Sequence, residues 1–129
     1  METQEKLDKL EKGIGTKEAE ILKPAKVKIE KVSLVEVKIG NQLREKLVCS
    51  VKHPDREELI EISKVKYQRK DKLKTSGLWY KEDEDGLIQK GTALAELLTF
   101  TNSPNIKSLI GKEIDTVADE EGYLCFKIY

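Results

Sequence analysis

Apolar and polar residues alternate over much of the first two thirds of the chain, and a period of two predicts β-strands. Strands are expected at residues 26–39, 43–52 and 59–67, with a further strand or strand extension at residues 73–80. Turn residues separate these stretches at Gly40-Asn41, His53-Pro54-Asp55-Arg56 and Lys70-Asp71. The sequence therefore predicts a mainly β structure in this region.

The alternation in the first stretch changes phase between Ile29 and Val32 and again between Leu34 and Val35. A phase change moves every later side chain to the opposite face unless a bulge or bend absorbs it. Fourteen extended residues would also span about 46 Å, which is too long for one straight strand in a small domain. We expect a long first strand that bends and serves both halves of a barrel, or two short strands with a kink at Glu30-Lys31.

Helical spacing begins after residue 91, where Ala93, Leu97 and Phe100 form one apolar stripe. Ser103-Pro104 is expected to open a second short helical turn, which Gly111 closes. A hairpin over residues 113–118 and 123–129 then ends the sequence. The order strand, strand, strand, helix, strand, strand is that of a small Greek-key barrel, the OB-fold.

The first 23 residues are mostly charged and carry a thin apolar stripe, Leu7, Leu10 and Ile14, which glycines interrupt. We interpret residues 1–23 as an arm that is marginally helical or mobile. Pro24 marks the start of the barrel domain, residues 24–129. Deleting residues 1–20 is expected to lower the melting temperature by a few degrees at most.

Charged residues make up 37% of the chain, and its formal net charge is zero. Zero net charge argues against a protein that coats duplex nucleic acid through charge alone. Only three of the 24 basic residues are arginine, and amide side chains are few. A lysine- and glutamate-rich composition indicates a thermophilic source or a mesophile with lysine-rich proteins. The sequence has no apolar run that would span a bilayer and no signal-peptide core, so we expect an intracellular, cytoplasmic protein without membrane contact.

Two short segments imitate ligand-binding loops. The acidic segment Asp83-Glu84-Asp85-Gly86 fails as a calcium loop, because Lys81 and Thr92 occupy positions that need acidic oxygen ligands. Residues 86–92 fail as a phosphate loop, because Lys90 precedes Gly91 instead of following it. We expect a hairpin turn at the acidic segment and no nucleotide hydrolysis.

Cys49, His53 and Cys125 are the residues that suggest a zinc site. Their spacing is not that of a zinc finger, and the sequence offers no fourth ligand. A single histidine also makes a Ser-His-Asp or Cys-His catalytic site hard to build. We expect core cysteines, free or joined by a disulfide, an exposed turn histidine, no cofactor and no enzyme activity.

A basic segment with interleaved aromatic residues is the candidate binding site. Between residues 64 and 74 the net charge is +5. Cations hold phosphates and flat rings stack on bases, which is what single-stranded nucleic acid requires. The candidate residues are Lys64, Lys66, Tyr67, Arg69, Lys70, Lys72, Lys74, Trp79 and Tyr80. A solvated lysine-rich hairpin that blocks edge-to-edge association, with Trp79 in the core, is the alternative.

The last third of the chain carries a resemblance. Leu97-Leu98, then residues 106–114 (IKSLIGKEI), then a hairpin of alternating apolar residues, resemble the helix and last two strands of small OB-fold single-stranded-DNA-binding proteins of phages and archaea. The resemblance implies the barrel and a non-catalytic role in binding single-stranded DNA, in preference to RNA. This chain differs from that group because it ends in a strand without an acidic tail.

Two functions follow from the sequence. The first is a non-catalytic module for single-stranded nucleic acid. The second is a protein-interaction adaptor, in which the barrel and residues 1–23 dock on a partner or on a second copy of the chain.

Overall fold

A computed structural model describes residues 22–129, and the predicted arm lies outside the described residues except for Leu22 and Lys23. The described chain forms strands with one α-helix and one 3₁₀ turn. They are β1 (Val27–Ile39), β2 (Gln42–Lys52), β3 (Ile60–Ile62), β4 (Lys64–Arg69), β5 (Lys72–Gly77), α1 (Ala93–Phe100), the 3₁₀ turn (Lys107–Leu109), β6 (Glu113–Ile114), β7 (Thr116–Ala118) and β8 (Leu124–Ile128).

The strands form two four-stranded sheets, in the orders β3-β2-β1-β6 and β5-β4-β8-β7. Neighbours are antiparallel except β4 and β8, which are parallel. The chain crosses from one sheet to the other at Ser63, between β3 and β4, and at Asp115, between β6 and β7. The carbonyl groups at both corners are paired, since Ser63 O accepts from Leu78 N and Asp115 O accepts from Lys127 N. The result confirms a mainly β, strongly curled, barrel-like fold with one helix.

The phase changes in β1 have different outcomes. Pairing with β2 shifts register between Ile29 and Lys31, so the first phase change is absorbed by a bulge, as predicted. The second leaves the pairing regular, and Leu34 and Val35 are 40% and 44% exposed. The outer half of the β1–β2 hairpin has solvent on both faces, and a strand without a buried face does not need strict alternation.

Helix α1 covers one end of the barrel, where it contacts β4 and β8. Thr92 caps its first turn by accepting a hydrogen bond from Ala95 N at 3.2 Å. Ala93 and Leu97 are buried, but the prediction is wrong for Phe100, which is 53% exposed. Phe100 is the last helical residue, so its side chain has passed the barrel end that Leu97 packs against.

The second helical turn begins later than predicted. Ser103 does not cap it; its side chain is buried and paired with the Thr101 hydroxyl at 2.8 Å. Ile106 precedes the turn and provides no side-chain cap, while Asn105 Oδ1 accepts from Ser108 N at 2.9 Å. The buried residue of this turn is Leu109.

The two acidic turns share one geometry. Asp83 Oδ1 accepts from the N–H groups of Asp85 and Leu87, and Asp119 Oδ1 accepts from those of Glu121 and Tyr123. Each turn also has a glycine at positive φ, 76° at Gly86 and 91° at Gly122. The predicted hairpin turn at residues 83–86 is confirmed.

Both cysteines are free and buried, Cys49 on β2 and Cys125 on β8. Burial raises the pKa of Cys49 to about 12 and is the main cause that raises the pKa of Cys125 to about 11. A thiol at these values is almost fully protonated at neutral pH and is a poor nucleophile. We expect native protein to react very slowly with a thiol-specific disulfide reagent and unfolded protein to release two equivalents at once. Rapid labelling of either thiol in the native state would contradict the burial.

Candidate functional site

Strand alternation divides the predicted basic segment between two faces. Tyr67 lies opposite Lys74, and Arg69 lies opposite Lys72, in the β4–β5 pairing. Directly opposed residues share a face, and Tyr67 points into the core. Arg69, Lys72 and Lys74 therefore lie on the same face of the hairpin as Tyr67. Lys64 and Lys66 alternate with Tyr67 and therefore lie on the outer face of the barrel. The structure does not bring all of the predicted cations together.

The outer face lies beside the second acidic turn. Lys64 Nζ is 3.8 Å from Asp119 Oδ2, and Thr75 Oγ1, opposite Lys66, is 3.2 Å from Glu120 Oε1. These carboxylates offset part of the lysine charge at this end of the hairpin.

The tip of the hairpin keeps its positive charge. Arg69, Lys70, Lys72 and Lys74 together line a cavity of about 360 Å³. Lys70 and Asp71 both have positive φ, 49° and 65°, which fits the two-residue turn that a twisted hairpin favours. Arg69 Nη1 donates to Gly91 O at 3.1 Å and thereby holds the hairpin against the start of α1.

Trp79 lies where the chain leaves β5 and joins the edge of β2. Trp79 pairs with Lys46, while Tyr80 N donates to Glu45 O at 2.9 Å. The neighbouring Leu78 is the core residue, and the indole is only half-buried. The structure thus places the ring of Trp79 on the surface beside β2.

Two cations lie over the Trp79 ring, Arg44 Cζ at 4.6 Å and Lys46 Nζ at 5.1 Å from its centroid. We call Arg44, Lys46 and Trp79 the cation–indole cluster. Burial, and then the nearby charge of Lys64, lower the pKa of Lys46. Within residues 22–129 neither Arg44 nor Lys46 has a carboxylate at ion-pair distance. The cluster is therefore an electropositive aromatic surface. A bound anion would reduce the repulsion between Arg44 and Lys46.

Sequence reasoning missed Arg44 and Lys46. The alternation in Arg44-Glu45-Lys46 puts both cations on one face of β2. This spacing was the sequence feature that could have indicated a basic surface there. The contact with Trp79 spans more than thirty residues of chain and depends on where β5 ends. Local patterns do not define such a pairing.

The two predicted tyrosines do not join the cluster as stacking platforms. Tyr67 is 8% exposed and belongs to the core, so its ring has no free face for a base. The Tyr80 hydroxyl donates a hydrogen bond to Glu82 Oε1, with 2.6 Å between the two oxygens. That hydrogen bond, followed by burial and the charges of Glu82 and Glu45, raises the pKa of Tyr80. Carboxylates beside Tyr80 would repel a phosphate.

His53 corrects the prediction of an exposed turn histidine, because it is fully buried. Its Nε2 lies 2.7 Å from Lys23 O, and its Nδ1 lies 3.0 Å from Asp55 N. The imidazole with its proton on Nε2 satisfies both contacts and links the start of the described chain to the turn after β2. Within the described residues, no group of three or more His, Cys, Asp or Glu side chains is arranged to hold a metal ion.

Comparisons of the chain with family models, with curated proteins and with solved structures find no match in any of the three. In residues 22–129 no helix has both the length and the apolarity to cross a membrane.

Proposed function

We propose that the barrel is an OB-fold that binds single-stranded nucleic acid without catalysing a reaction. If β3 with β4 and β6 with β7 are each counted as one bent strand, five strands remain besides β5, with α1 between the third and fourth. This is the strand and helix order of the OB-fold, whose ligand face is formed by its second and third strands. In this chain those strands are β2 and β3–β4, which carry Arg44, Lys46 and the basic hairpin.

The cation–indole cluster is the observation that carries the proposed ligand class. The indole is partly exposed, and Arg44 and Lys46, which lie over its ring, offer charge for the phosphates that adjoin a base stacked there. Bases in a duplex are stacked and paired, so a stacking residue of this kind favours single strands. The resemblance of the last third of the chain to DNA-binding proteins favours DNA over RNA.

The hairpin tip adds the electrostatic part of the interface. We expect the bound nucleic acid to run from the hairpin tip to Trp79. Its successive phosphates would contact Arg69, Lys70, Lys72 and Lys74. Zero net charge is compatible with this, because the second acidic turn contacts the hairpin at Lys64 and Thr75, away from its tip, and binding depends on the local field.

Replacing Lys70 and Lys72 by alanine is expected to weaken binding of a labelled single-stranded oligonucleotide and to flatten its dependence on salt. Each phosphate contact on a single strand contributes a slope of about −0.7 in log affinity against log salt, so two lost contacts reduce the slope by about 1.4 units. Fluorescence anisotropy at several salt concentrations measures both quantities.

The matched control for this prediction replaces Lys26 and Lys28, two exposed lysines at the start of the described chain, and removes the same charge. An equal change in slope for both double variants would show that the hairpin tip is not the contact. Wild-type protein that binds no single strand at low salt, where attraction is greatest, would refute the proposed function.

The protein-interaction alternative has one observation in its favour. Leu34, Val35, Ile39 and Leu43 are exposed on the β1–β2 hairpin. Within residues 22–129, β1 pairs with β6 only at Val27 and Lys28, which leaves the outer edge of β1 open. Sedimentation velocity of the full chain tests for self-association through this edge, with Val35→Lys as the variant that should abolish it.

A further inference from the structure

A second cavity, of about 220 Å³, opens between the β4–β5 hairpin, the cation–indole cluster and the start of α1. Its walls include Arg44, Tyr67, Trp79, Lys81 and the chain from Gly91 to Ala93. A water molecule takes about 30 Å³ in the liquid, so the cavity has room for a group several times that size. It adjoins the cavity at the hairpin tip, because Tyr67 of the one lies directly opposite Lys74 of the other.

Tyr67 brings an unused donor to this cavity. The residue is more than nine-tenths buried, yet its hydroxyl has no hydrogen-bond partner among residues 22–129. In that part of the chain no buried side-chain oxygen or nitrogen is both sealed from solvent and unpaired. Tyr67 lines the cavity, and its unpaired hydroxyl is therefore not sealed from solvent. A solvent-reached hydroxyl without a protein partner is free to donate to an acceptor that enters the cavity.

The charges around the cavity define the acceptor. Arg44 and Lys81 line it, and Arg69 reaches its edge through the hydrogen bond to Gly91 O. The residues that open α1 form part of the wall, and the first N–H groups of a helix favour an anion. The lining residues include no carboxylate. Positive φ at Gly91, 86°, lets the backbone turn into the helix beside Arg69.

We propose that this cavity is a phosphate pocket, in which the Tyr67 hydroxyl, Arg44, Lys81 and the backbone at the start of α1 hold one phosphate group of a bound strand. The inference rests on the proposed function and extends it. Tyr67, which is too buried to stack on a base, becomes a hydrogen-bond donor to the backbone of the ligand. The base adjoining that phosphate would then lie on Trp79, which forms another wall of the same cavity. A terminal phosphate or an internal phosphodiester supplies the same chemistry.

Inorganic phosphate is the direct probe of the pocket. We expect a titration of ¹⁵N-labelled full-length protein, at constant ionic strength set with chloride, to shift the amide signals of Gly91, Thr92 and Ala93 and the indole N–H of Trp79. Tyr67→Phe keeps the buried ring and removes the hydroxyl, and should raise the phosphate dissociation constant roughly tenfold, the value of a hydrogen bond to a charged acceptor. Tyr123→Phe removes an equally simple hydroxyl from an exposed residue in the second acidic turn and should leave it unchanged.

Equal shifts with phosphate and with chloride, or equal phosphate affinity in Tyr67→Phe and wild-type protein, would overturn the pocket. Oligonucleotides with and without a 5′-phosphate distinguish the two sources. Weaker binding of both by Tyr67→Phe identifies an internal phosphodiester, and weaker binding of the phosphorylated strand alone identifies a terminal phosphate. If Tyr67→Phe binds both like wild type while Lys70 and Lys72 variants bind weakly, the pocket is wrong and the proposed function stands. If no strand binds, the proposed function is wrong, and the phosphate titration decides the pocket separately.

Discussion

Alanine in place of Trp79 is expected to weaken binding of single-stranded oligonucleotide by tenfold or more without changing the salt dependence. Stacking of one base on an aromatic side chain contributes about 1–3 kcal/mol, and this energy is much less sensitive to salt than phosphate contacts are. Fluorescence anisotropy with a labelled strand measures the change, because the variant lacks the only tryptophan of the chain.

Two controls make the Trp79 prediction specific. Trp79→Phe keeps a flat ring and should recover most of the affinity. Phe100→Ala removes a more exposed aromatic ring at the far end of α1 and should have no effect on binding. Because the indole is half-buried and Leu78 is the core residue beside it, the alanine variant is expected to remain folded, which circular dichroism verifies. Unchanged affinity in a folded Trp79→Ala protein would rule out stacking at this position.

The order of elements was predictable because local patterns determine it. The phase change after Ile29 required a bulge, and a bulge is present between Ile29 and Lys31. The single strand expected over residues 59–67 is instead divided at Ser63, where the chain turns from one sheet into the other. The acidic turns were also predictable, because each has an aspartate with a glycine three residues later, and both residue types favour turns.

The candidate site was only half predictable. Period-two alternation in β4 implies that Lys66 and Tyr67 point to opposite faces. The net charge of the segment does not distinguish the two faces, so it suggested a single basic surface. The partners of Trp79 come from β2. This pairing depends on where β5 ends, and on the short strand β3, which pairs with β2 only at residues 49–51 and leaves Lys46 available to Trp79. His53 contacts the backbone carbonyl group of Lys23, thirty positions earlier in the chain. Every residue has such a group, so the sequence does not indicate which one pairs with His53.

Replacing His53 by alanine is expected to destabilise the protein by about 3 kcal/mol, close to the cost of a core substitution. The imidazole is fully buried, so its removal leaves a cavity and two backbone groups without partners. Each unsatisfied buried group costs about 1–3 kcal/mol, although water entering the cavity recovers part of that. For a chain of this size the melting temperature should fall by roughly 10 °C in differential scanning calorimetry.

Asparagine at position 53 separates the two contacts of the ring. Its side-chain oxygen can accept from Asp55 N, two residues on, as in an Asx turn, but the side chain is too short to reach Lys23 O. We therefore expect His53→Asn to lie between alanine and wild type, more stable than the alanine variant by about 1 kcal/mol, the net value of one hydrogen bond. Alanine and asparagine variants that both melt like wild type would show that the link between Lys23 and the turn after β2 contributes nothing to stability. If both lose the same large amount, the contact with Lys23 and the volume of the ring, and not the turn, account for the role of His53.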